Sequence, residues 1–112
     1  MDGFRATLDR GCQRGLHWRY VVGALQVDGF AELLSEAFPG LIVDDECWGS
    51  RRIVRGILPY RFEVRLGTRP RHLSLIHRMS ASLDVREQDR ERFDTALRRH
   101  VAGQQHRFEM RS

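Results

Sequence analysis

Two stretches of strict alternation constrain this chain more than anything else in it. In "HLSLIHRMSASLDV", residues 72–85, Leu73, Leu75, His77, Met79, Ala81, Leu83 and Val85 fall on one side of an extended backbone. Ser74, Ile76, Arg78, Ser80, Ser82 and Asp84 fall on the other. Successive side chains of a strand point to opposite faces, so the pattern predicts one packed face and one wet face. Residues 60–66 repeat it, with Tyr60, Phe62, Val64 and Leu66 opposite Arg61, Glu63 and Arg65. Matching the apolar faces across "GTRP" pairs Val64 with Leu73 and Phe62 with Leu75, and leaves the arginines on an outer sheet surface beside Ser74 and His72. Leu58, Phe62 and Leu66 are also four apart, and Pro59 suits a first helical turn, so a helix over 57–66 competes.

Helical spacing is clearest over 28–38, where Phe30, Leu33, Leu34, Ala37 and Phe38 form one stripe. Asp28 is placed to cap it, and Pro39 and Gly40 to stop it. Further on, Phe93, Ala96, Leu97, His100 and Val101 form a second stripe, with capping-box spacing between Asp84 and Glu87, late basic residues, and Gly103 as terminator. The end, "QQHRFEMRS", reads as a short strand using Phe108 and Met110, or as a frayed tail. Phe4, Leu8, Cys12, Leu16, Tyr20 and Ala24 recur every fourth residue, which lines one helix face. Gly11, Gly15 and Gly23 weaken that helix, and a strand over 16–27 is the rival. "LIVDDECW" reads as a strand with a buried apolar start and an acidic middle, Asp44 and Glu46 on one face, Asp45 and Cys47 on the other.

The length of 112 residues suits one domain with one core. The pI near 10.0 points toward nucleic acid, yet the formal net charge is only +4 and every basic residue is arginine. Arginine-only usage is what a GC-rich genome writes, and it inflates pI without adding net charge. No apolar run approaches the ~20 residues a bilayer requires, so no membrane partner and a cytoplasmic location are expected. Cys12 and Cys47 form no CxxC, which favours free thiols over a bridge.

Motifs for defined chemistries are missing. No HxH, HxxxH or CxxC supplies two metal ligands from one element, no GxSxG anchors a nucleophile, and no glycine-rich phosphate loop occurs; neither metal nor cofactor is called for. Nucleic-acid binding would use Arg61, Arg65, Arg69, Arg71 and Arg78, but Tyr60 and Phe62 alternate away from Arg61 and Arg65, against a stacking platform. Tyr20, Asp44 and His77 are polar residues at positions where burial is expected. They are either satisfied locally or form the acid–base set of a pocket.

The run "WRYVVGALQVDGFAELLSEAFPGLIVDD", residues 18–45, resembles the opening of the SnoaL-like and ketosteroid isomerase group of the nuclear transport factor 2-like superfamily. Arg19, Tyr20, Ala24 and Leu25 stand in an "RY..AL" helix pattern, Phe38 near the end of a second helix, and Asp44 and Asp45 on a strand. The following "RGILPYRFEVRLGTRP" looks like that group's third helix and "HLSLIHRMSASL" like its long strand. The resemblance implies a cone-shaped half-barrel with an apolar pocket, in which the position of Tyr20 donates to an oxyanion and that of Asp44 is the general base. It departs from the group where 87–101 reads as helix and where Gln105 stands in place of a second acid.

The combined expectation is an α+β domain, a curved, mainly antiparallel sheet packed on two or three helices. Its candidate function is to bind a small apolar ligand or perform isomerase, dehydratase or cyclase chemistry on it. Tyr20, Asp44 and His77 are the candidate catalytic residues, and Trp18, Phe62, Met79 and His100 the substrate contacts. An alternative is a non-catalytic accessory protein, docking an acidic partner through Arg61, Arg65 and Arg78; nucleic-acid binding is a second alternative. A homodimer is expected.

Overall fold

The computed structural model describes residues 4–8, 16–23, 25–69 and 71–111, with side chains described for all of these except 67–69 and 104–111. Chain order is β1 (Phe4–Leu8), β2 (His17–Val22), α1 (Val27–Ala37), β3 (Ile42–Trp48), β4 (Arg51–Leu58), β5 (Phe62–Arg69), β6 (His72–His77) and α2 (Leu83–Arg111). The fold is α+β: one open, antiparallel six-stranded sheet in the order β1-β2-β6-β5-β4-β3, and two helices among the described residues. Strands β3 to β6 form a meander, and the β1–β2 hairpin joins it by pairing β2 with β6.

Both helices pack on one face of the sheet. Phe30 of α1 and Tyr20 of β2 meet Phe93 of α2 edge-on at 5.6 and 5.0 Å between centroids, and Phe38 meets Phe62 at 4.8 Å. Edge-on rings gain a little beyond their buried area, which fixes how the layers seat. Arg52 ties the layers at one edge, with Nη2 2.5 Å from Asp28 Oδ1 and 2.7 Å from Asp45 Oδ2.

Several expectations need correction. The chain at 4–8, 17–22, 57–58 and 62–66 is extended, not helical. The resemblance's first helix falls on β2, and its third on the β4–β5 hairpin. A spacing of four is a multiple of two, so it suits a strand face as well as a helix face, and the glycines and Pro59 decide. Pro59 and Tyr60 form the hairpin turn, with Tyr60 at φ 67° and Arg61 N–H donating to Leu58 C=O at 3.0 Å. Cys12, Ala24, Gly11 and Gly15 lie outside the described residues.

The β5–β6 register is two residues from expectation, with Val64 opposite Leu75 and Phe62 opposite His77. A shift of two keeps every side chain on its face, and the irregularity between Arg65 and Arg69 shifts the pairing by two more toward the turn. β6 stops at His77, leaving Met79 and Leu83 exposed, because Ser82 starts α2: its hydroxyl accepts the Val85 N–H at 3.3 Å, the capping role expected of Asp84. Gly103 does not end α2, whose backbone continues through the segment read as a strand or tail; one glycine costs about 1 kcal/mol, less than the turns on either side supply. Asp28 lies inside the first turn of α1 rather than capping it. The start of β3 is not buried, Ile42 being 55% exposed, because β3 is an edge strand. No helix among the described residues is long and apolar enough to cross a membrane.

Candidate functional site

Alternation on β2 turns Trp18, Tyr20 and Val22 toward the helices, and on β6 it turns Leu73, Leu75 and His77 the same way. On α2 the residues facing them follow helical spacing: Arg86, Asp89 and Arg90, then Phe93, Ala96 and Leu97. The apolar members fill the middle of this layer. Toward the start of α2 the layer becomes polar.

There a cleft of about 450 Å³ opens, lined by Trp18, His77, Leu83, Asp84, Arg86, Glu87 and Arg90. The Arg90 guanidinium stacks on Trp18, 4.3 Å from the ring centroid. Arg86 donates through Nη2 to the Met79 carbonyl at 3.2 Å. Beneath the rim, Asp89 is 1% exposed and is held by Arg61, whose Nε lies 3.1 Å from Oδ2 and whose Nη2 contacts Oδ1. That pair gives the buried carboxylate a counterion.

His77 is 3% exposed, and its Nδ1 has no hydrogen-bond partner among the described residues. Burial lowers its pKa below 6.5. Asp89 opposes that shift, while Arg86 and Arg90 add to it. The ring is therefore neutral at pH 7.

The proposed catalytic set is not assembled in one place. Tyr20 is fully buried and donates its hydroxyl to Asp94 Oδ1 at 2.5 Å. Burial first, then that bond, raises its pKa well above the usual phenol value, so the hydroxyl stays protonated and engaged. Asp44 lies on the far edge strand and the opposite face, bound to Arg55 Nη2 at 2.7 Å. Three strands separate β2 from β3, which sets the two backbones about 19 Å apart at ~4.8 Å per strand.

Of the substrate contacts read from sequence, Trp18 reaches the cleft with His77. Phe62 is in the core against Phe38, Met79 is 58% exposed beyond β6, and His100 is near the start of α1, its Nε2 accepting the Gln26 N–H at 3.3 Å. Arg61, expected on the outer surface, instead turns to Asp89, because that buried acid requires a counterion. Arg65 does lie on the outer face, paired with Glu63 at 3.3 Å, and Arg78 is exposed just past β6. Cys47 is a free, exposed thiol.

Arg86, Asp89 and Arg90 were missed. Their signal was available, since 86, 90, 93 and 97 share one helix face with the apolar stripe. A scan of protein-family models and searches of curated proteins and of solved structures find no match to this chain.

Proposed function

We propose that the protein holds a small ligand with a flat apolar body and one acidic group in the cleft between α2 and the β2–β6 pair. The observation that carries this reading is the meeting of Trp18 and His77 with Arg86 and Arg90 in one opening of about 450 Å³, within the usual size range of ligand sites. The apolar body lies along Leu83 and the indole edge, and the acid reaches the outer nitrogens of the two guanidiniums. His77, kept neutral by burial, is the group able to take a proton from such a ligand, so any isomerase- or lyase-type chemistry centres on it. In this reading the sheet curves about α2 as one wall of a cone, with the cleft as its mouth.

The test uses 1-naphthoate as ligand and Trp18 emission as readout, in a Trp48→Phe background that leaves Trp18 as the sole indole. Saturable quenching is expected. It should weaken about ten-fold in Leu83→Glu, which sets a carboxylate against the ligand's acid from a position already 74% exposed. Naphthoate that leaves Trp18 emission unchanged, or that binds Leu83→Glu equally well, defeats the proposal.

A further inference from the structure

Both helices cover one face of the sheet, and among the described residues no element covers the other. Register places a continuous row across all six strands of that bare face: Thr7, Arg19, Ser74, Arg65, Arg55 and Asp44. The neighbouring row carries Ile76, Glu63, Ile57 and Ile42. At one corner, Trp48 is 68% exposed beside Arg51. An open sheet face normally carries polar side chains, so aliphatic residues there are the informative feature.

The charges on this face do not cancel. Among the described side chains, alternation puts Arg5, Arg19, Arg51, Arg55 and Arg65 on it. Its acids are Asp44, Glu46 and Glu63, and five positive less three negative leaves +2. Each acid is already engaged. Asp44 and Glu46 share Arg55, and Glu63, only 8% exposed, lies between Arg55 and Arg65. With its acids spoken for internally, the face presents guanidinium and aliphatic groups together.

We infer that this bare face docks a protein partner whose contacting surface combines carboxylates with aliphatic side chains. Carboxylates meet the exposed guanidiniums of Arg5 and Arg51, and aliphatic groups seat on the row of Ile76, Ile57 and Ile42. Nucleic acid fits less well. A strand platform for bases needs several exposed rings close together, and among the described side chains of this face Trp48 stands on the edge strand β3 while the other rings, His17 and His72, lie on β2 and β6 with β4 and β5 between. This surface is independent of the cleft, since no residue of one lines the other.

A fluorescein-labelled peptide of alternating glutamate and leucine serves as the probe, its binding read by anisotropy and by Trp48 emission in a Trp18→Phe background. Saturable binding is expected. It should weaken about ten-fold or more in Arg51→Glu with Arg65→Glu, and hold in Arg99→Glu, which changes an exposed α2 arginine on the covered side. Circular dichroism of the double variant establishes that it is folded. Three outcomes overturn the inference: absence of saturable binding, equal binding by the folded double variant, or displacement of the peptide by polyuridylate at lower concentration, which would assign the face to nucleic acid.

Discussion

The two faces of the sheet use the same residue types to opposite ends. On the covered face, Phe30, Phe93 and Tyr20 interlock, and the buried acid Asp89 has its own arginine. On the bare face, arginines and acids form a shared ladder around Arg55, with its members a third to a half exposed apart from Glu63. The covered face gains from packing and is intolerant of loss. The bare face gains from pairs that water weakens, and it tolerates rearrangement. Arginine here is a structural counterion in one place and a surface group in another, and only the environment separates the roles.

The contrast breaks most severely at Phe93. Phe93→Ala is expected to cost about 3–5 kcal/mol in urea unfolding, because the ring is fully buried against Tyr20 and Phe30. A loss under about 1 kcal/mol would mean that α2 does not seat as described.

Next in size is a matched pair of arginine deletions. Arg61→Ala strands Asp89 and should cost about 2–3 kcal/mol, reduced from the fully enclosed case because Arg61 itself is 39% exposed. Arg55→Ala, on the bare face, should cost clearly less, since Arg65 still reaches Glu63. Equal losses would erase the distinction between the faces.

The smallest effect is a pH dependence that sharpens the comparison. Burial holds His77 below its ordinary 6.5, with Asp89 opposing and Arg86 and Arg90 assisting, so the unfolded chain binds that proton more tightly than the folded one. This contribution to stability is full above about pH 6.5 and is lost as pH falls from there toward the folded-state value. Tm of the native chain should therefore fall more steeply from about pH 7.5 to about pH 5 than that of His77→Asn. Parallel slopes would show that His77 does not feel its burial.

The sequence carried the alternating face of β6, the stripe of α1 and the stripe around Phe93 plainly, because each has a period that only one element satisfies. Phe4, Leu8, Leu16 and Tyr20, like Leu58, Phe62 and Leu66, were ambiguous because a spacing of four serves both periods. The site was half legible. Trp18 and His77 follow from strand alternation, but their meeting with Arg86 and Arg90 depends on α2 crossing the sheet at β2 and β6, a long-range fact that local pattern does not hold. Expected burial and the family resemblance pair Tyr20 with Asp44, and neither carries strand order. Sheet order puts them at opposite sides.

The closure of β2 onto β6 also sets an order of events. The meander from β3 to β6 is made of neighbours in sequence and can form hairpin by hairpin, but the first two strands have no place to dock until residue 77 has left the ribosome. Until then the nascent hairpin keeps the greasy sides of Trp18, Tyr20 and Val22 waiting without a lid. The helix that covers them, α2, is translated later still.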